Sequence, residues 1–165
     1  MIKLIYTLLI IIVLTNNSFS AGSSGDSDNG SGSKVSNYTK AKNLIKVAKK
    51  YEKKGKTEKA QKRYTKAQKL LLKSNKKKPL QADTLNYLGF TTRKLGDYKK
   101  GEEFYLQGLQ IEPNHNGINE YLGELYMVTN RVDLAKERLN VLKKCDCKEY
   151  KQLKEIIEGT KKSKY

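Results

Sequence analysis

The phrase Leu85-Asn86-Tyr87-Leu88-Gly89 is followed by Gly96, Gly101, Tyr105, Gly108 and Pro113. Its Leu-Gly pair returns 34 residues later as Leu122-Gly123, with Tyr126, Asn130, Ala135 and Leu139 behind it. A fixed period in this range marks a chain built from stacked two-helix units, each too small to bury its apolar face alone. This one feature sets the fold class as all-α and shifts the expected function from chemistry towards binding.

Each unit reads as two amphipathic helices joined by a tight turn. Leu85, Leu88, Thr92 and Leu95 recur at helical spacing. Gly89 and Gly123 leave room where one helix approaches another, and Gly101 and Ala135 are the small residues expected to receive that approach. Gly96-Asp97 supplies a helix stop and a new N-cap. Tyr105 and Leu139 are expected to fill the gap between neighbouring pairs, and Pro113 to end its helix.

A weaker unit lies upstream in Leu44, Val47, Ala48, Tyr51, Gly55, Ala60, Tyr64 and Ala67. Gly55 precedes Gly96 by 41 residues, seven more than the period. Seven residues are about two helical turns. The second helix of this unit is therefore expected to run on through residues 75–78, before Pro79 opens the next unit. Downstream, Asp146 is expected to cap a last helix over 147–158, with Glu149 three residues on. Tyr150, Leu153, Ile156 and Ile157 make its apolar stripe.

These residues resemble the tetratricopeptide repeat, with its Leu-Gly-x-x-Tyr, Ala-x-x-x-Phe and closing Pro. Thr92 stands where the family has Tyr, and Leu85 where it has Trp. The resemblance implies a right-handed α-solenoid of about three helix pairs (41–74, 82–115 and 116–149) plus a C-terminal capping helix. It covers residues 38–158, leaving a basic tail at 159–165.

The opening residues read as an address. Lys3 precedes an apolar run from Leu4 to Leu14, and Ser18-Phe19-Ser20 offers small residues for cleavage before Ala21. The run is short for a membrane span. The expectation is a signal peptide over 1–20 and export to a bacterial periplasm, with secretion or an inner-membrane anchor as alternatives. Residues 21–37, rich in Gly, Ser, Asp and Asn, read as a flexible linker.

Charge is unevenly placed. Lys40 to Lys78 holds 17 Lys+Arg against 2 Asp+Glu, whereas Ala82 to Tyr165 holds 15 against 13. The first pair could face anionic partners such as membrane headgroups or acidic protein segments, or it could be a solvated lysine face. Nucleic acid is not expected. Arginine is scarce, the opening suggests export, and no nucleic-acid-binding motif occurs.

Little here suggests catalysis. His115 is the only histidine and is expected on a surface loop. Nucleophile elbow, phosphate-binding loop and zinc-peptidase helix are all missing from the sequence. Glu120 and Glu124, four apart on a helix, are commonplace as exposed carboxylates. No cofactor or metal is expected. The two cysteines, Cys145 and Cys147, sit before the last helix. In an oxidising compartment they could bridge and pin that turn. A bridge across one residue closes a small ring, which would favour a labile, redox-active pair. Free thiols or an intermolecular bridge stay open.

If Gly89 and Gly123 mark the first helix of each pair, that helix's partner-facing side follows from the family. The resemblance places there Lys42, Ile45, Lys46, Lys49 and Lys53, then Asn86, Tyr87, Phe90, Arg93 and Lys94, then Glu120, Tyr121, Glu124 and Met127. Tyr87, Phe90 and Tyr121 would be aromatic anchors. Alternatively a short array closes on itself and these rings become core. Chaperone adaptors of the family hold a C-terminal carboxylate with Lys and Asn. This chain has Ile45 and Lys49 at those places, so that activity does not carry over. The expectation is a non-catalytic adaptor for a protein or peptide ligand, one bearing acidic groups included. The alternatives are a thiol-dependent accessory using Cys145 and Cys147, or a module for anionic membrane surfaces.

Overall fold

A computed structural model describes residues 35–163. The expected signal peptide, residues 21–34 of the expected linker and the last two residues lie outside the described residues. Among the described residues all regular structure is α-helical: α1 (Asn37–Lys53), α2 (Thr57–Lys77), α3 (Ala82–Lys94), α4 (Tyr98–Ile111), α5 (Asn116–Val128), α6 (Val132–Leu142) and α7 (Lys148–Ile157). Helices α1 and α2, α3 and α4, and α5 and α6 pack as antiparallel pairs, and α7 packs on α5 and α6. This is an all-α solenoid.

Local sequence accounts for the helix ends. Ser36 caps α1 by accepting from the Thr39 amide at 3.1 Å. Within each pair the turn passes through a left-handed residue, Gly55 (φ 66), Gly96 (φ 99) or Asn130 (φ 58). Glycine and asparagine are the residues that reach this region cheaply. Asp97 then caps α4, accepting from the Lys100 amide at 2.9 Å. Helix α2 is the longest at 21 residues. It stops at Lys77 because Lys78 precedes Pro79 and is pushed off helical geometry, to φ −136 and ψ 89.

Two caps differ from expectation. Helix α7 is capped by Cys147, without a side-chain bond, and not by Asp146. His115 is no idle loop residue. It caps α5, with Nδ1 accepting from the Ile118 amide at 3.1 Å and Nε2 at 3.3 Å from Asp83 Oδ1 on α3. A lone histidine gave no sign of this, because cap and partner are 32 residues apart.

The core runs as two clusters. Ala41, Ile45, Ala48, Ala60, Tyr64, Ala67 and Leu71 join α1 to α2 and reach Leu85, Leu88 and Phe90 on α3. Tyr105, Ile118, Leu122, Leu125, Tyr126 and Ala135 make the second. Tyr105 also closes on its own pair. A β-carbon on Gly89 would lie 2.5 Å from its ring. Gly101 faces the α3 backbone, where a β-carbon would lie 3.1 Å from Gly89 O. At Gly123 the neighbour is on α7: a β-carbon would lie 2.5 Å from Leu153 Cδ2. The last helix is thus packed into the array through a glycine slot. No helix among the described residues is long and apolar enough to cross a membrane.

Candidate functional site

Helices α1, α3 and α5 bring the residues singled out from the sequence into two groups. In the first, the Tyr38 and Tyr87 rings meet edge to face at 5.9 Å, with the Lys42 ammonium 5.3 Å from the Tyr38 centroid. Burial pushes both phenols up, with the Asp83 carboxylate adding to it. Lys46 is exposed beyond this group, and Asn86 is buried against the first turn of α5, its Nδ2 in the slot left by Gly117.

The second group is denser. The Lys49 ammonium donates to Tyr121 Oη at 3.1 Å and lies 4.3 Å from the Phe90 centroid. Phe90 and Tyr121 stack tilted at 5.0 Å. Phe90 is fully buried and meets Tyr64 edge to face at 5.8 Å. Arg93 is enclosed, donating to Tyr121 O at 2.8 Å and to Glu124 Oε2 at 3.2 Å. Lys94 reaches back to pair with Glu52 on α1, and Tyr64 Oη donates to Glu52 Oε2 at 2.8 Å. Charged bonds of this kind tie α1 to α3 and α3 to α5 across the array.

Glu120 and Glu124 are not the exposed carboxylates that helical spacing suggested. They are only 5% and 4% exposed. Glu124 is held by Arg93 from the neighbouring helix, a pairing 31 residues apart that no local period reveals. Burial pushes the Glu120 carboxyl up from 4.5 to about 8. The Glu124 and Glu149 charges add to this, and Lys49 and Lys148 oppose it.

Between α1, α5 and α7 lies a cleft of about 370 Å³, lined by Lys49, Glu52, Lys53, Glu120, Tyr121, Glu124 and Gln152. Ile45 and Met127 stand elsewhere, Ile45 in the first core cluster and Met127 half-buried against the second. Sequence reasoning missed Glu52 and Gln152. Glu52 carries a signal in hindsight, as one of 2 acids among 17 basic residues. Gln152 carries none, since the period does not say that the last helix comes round to this cleft.

Cys145 and Cys147 lie side by side in the α6–α7 turn, with α-carbons 5.2 Å apart. Among the described residues no group of three or more His, Cys, Asp or Glu side chains could hold a metal ion.

No protein-family model matches the chain. Over 72 residues it is 39% identical to the Sol locus transcriptional repressor of Clostridium acetobutylicum. That match covers 42% of this chain but 23% of the repressor, so the chain spans about a quarter of its length. Among solved structures it is similar to the type III secretion translocator chaperone SycD of Yersinia enterocolitica, at 17% identity and a TM-score of 0.51. That likeness covers 76% of this chain and 85% of the chaperone. A further structure, the first repeat domain of Spaghetti bound to an HSP90 peptide, aligns at 18% identity over 74% of this chain and 94% of that one, with a TM-score of 0.48. The described part of the chain is a tetratricopeptide-repeat fold.

Proposed function

We propose that the chain is a non-catalytic adaptor that holds a segment of another protein against α1, α3 and α5, and that it does so in a bacterial periplasm or cell envelope. The observation that carries the reading is the cleft of about 370 Å³ walled by α1, α5 and α7. Its volume falls at the lower end of the range of ligand pockets, about 300–1,000 Å³. Its walls combine a ring, two ammonium groups and three carboxylates, a mixture that orients a peptide and needs no reaction to explain it. The same fold serves a translocator chaperone in Yersinia enterocolitica. The leader-like opening supports the location.

Capture of partners from an envelope extract tests this. Tyr87 is half-buried at the surface of the α1–α3 face, and Tyr87→Ala is expected to weaken capture while helicity stays. Lys62→Ala with Lys66→Ala, exposed on α2, should matter less. Capture that survives the first change and fails with the second would place the binding face on the second helices. Phe90→Ala is a poor probe, since that ring is core.

The paired cysteines support a second, compatible reading, a bridge that pins the α6–α7 turn. Mass spectrometry with and without reductant tests it. Two hydrogens' difference in mass supports the bridge, and identical masses reject it.

A further inference from the structure

The three carboxylates of the cleft are not equivalent. Glu52 is matched by Lys94 and Tyr64, and Glu124 by Arg93. For Glu120 the described residues provide no hydrogen bond and no ion pair within 4 Å. The Lys49 and Lys148 charges favour its ionised form but do not offset its burial. It is 5% exposed, and what remains open faces the cleft. A buried carboxylate without a partner is costly, and the cost is relieved by any cation that reaches it.

We propose that this cleft is a receptor for one basic side chain, a lysine ammonium or arginine guanidinium, on the segment that the adaptor holds, with Glu120 as its counter-charge. The inference rests on the adaptor reading and names the chemistry of its partner. Of the charged groups lining the cleft, Glu52 and Glu124 are matched within the fold, the Lys49 ammonium is held by Tyr121 Oη and over the Phe90 ring, and Lys53 is exposed at the rim. Glu120 is the carboxylate left for a ligand, and a cation that reaches it also meets the Tyr121 ring, against which a guanidinium stacks well. The charged groups around Glu120 are Glu124 on α5, Glu149 and Lys148 on α7, Lys49 on α1 with Glu52 and Lys53 across the cleft and, through Glu124, Arg93 on α3. Because burial holds its carboxyl near 8, a bound cation drives ionisation, so binding at neutral pH releases a proton.

Isothermal titration of the full chain tests this, at ~0.15 M salt so that the surface lysines are screened. The probes are capped heptapeptides of alanine with arginine, norleucine or glutamate at the centre. The arginine peptide is expected to bind at least about tenfold more tightly than the other two, a difference of about 1.4 kcal/mol. In buffers of different ionisation heat its binding should release a proton at pH 7 and none at pH 10. Glu120→Gln keeps the shape, and should abolish both the preference and the proton release with circular dichroism unchanged. Equal affinity for the three peptides, tighter binding of the glutamate peptide, no detectable binding, or an arginine preference that Glu120→Gln leaves intact would each overturn the assignment. Extract capture that still depends on Tyr87 would then leave the adaptor reading standing.

Discussion

Gly89 and Gly123 occupy the same place in the repeated phrase and receive different neighbours. The slot at Gly89 is filled by the Tyr105 ring, from the second helix of its own pair. The slot at Gly123 is filled by Leu153, from the final helix. The helices around them also bury opposite charges: α3 encloses Arg93, and α5 encloses Glu120 and Glu124. The repeat therefore specifies a place for close approach and not who approaches. In the third unit that freedom lets α7 lean on α5, which is why Gln152 helps to wall the cleft. The last helix both covers the array and shapes its candidate site.

The largest expected effect is at the junction of the two units. Arg93→Ala removes a buried ion-pair partner of Glu124, and breaking such a pair costs about 3–5 kcal/mol. Denaturant melting should show that loss, and adding Glu124→Gln should recover part of it. Full additivity of the two changes would mean that the ion pair contributes nothing to the joint between α3 and α5.

Gly89→Leu and Gly123→Leu sharpen the comparison directly. Overpacking costs about 1–3 kcal/mol, and both sites are equally crowded, with 2.5 Å to the nearest neighbour atom. The outcomes should differ in extent. Tyr105 is embedded in the second core cluster, so Gly89→Leu is expected to lower the thermal midpoint of the whole domain. Leu153 lies on a terminal helix of 10 residues, which can detach alone. Hydrogen exchange of Gly123→Leu should show lost protection over 148–157, with 37–128 largely retained. Uniform loss in both variants would erase the distinction drawn here.

A smaller effect concerns pH. The Glu120 carboxyl is raised from 4.5 to about 8 in the folded chain. The folded state therefore binds this proton more tightly than the unfolded state does. Its stabilisation is complete below about 4.5 and is lost as pH rises through about 8. The thermal midpoint should fall by a few degrees between those values, and Glu120→Gln should flatten that part of the profile. An unchanged profile in the variant would show that Glu120 is not the group responsible. Smallest of all, Lys62→Ala with Lys66→Ala on the exposed face of α2 should stay within about 0.5 kcal/mol of the parent.

The contrast also marks what is legible in the chain. The period announces the helix pairs, and Gly96, Asp97 and Asn130 announce turns whose geometry follows from residue type alone. The face bearing Lys49, Phe90, Arg93, Glu120 and Glu124 can be assembled from spacing, because residues of one helix share a face whatever lies opposite. Depth cannot. Whether Glu124 meets water or Arg93 depends on a helix 31 residues away, and whether His115 idles or caps α5 depends on the local backbone and Asp83. The position of α7 is set by the packing of Leu153 into a slot, an interaction that no apolar stripe can name in advance.

The central claim is that the cleft between α1, α5 and α7 is the binding face, with the last helix as one of its walls. Site-specific photo-crosslinking tests it most directly, with the reactive group placed at Gln152 on the cleft rim or at Lys66 on the exposed face of α2. The account predicts a discrete adduct with an envelope protein from position 152, none from position 66, and loss of the first with Glu120→Gln. An adduct from position 66 with nothing from position 152 would contradict it.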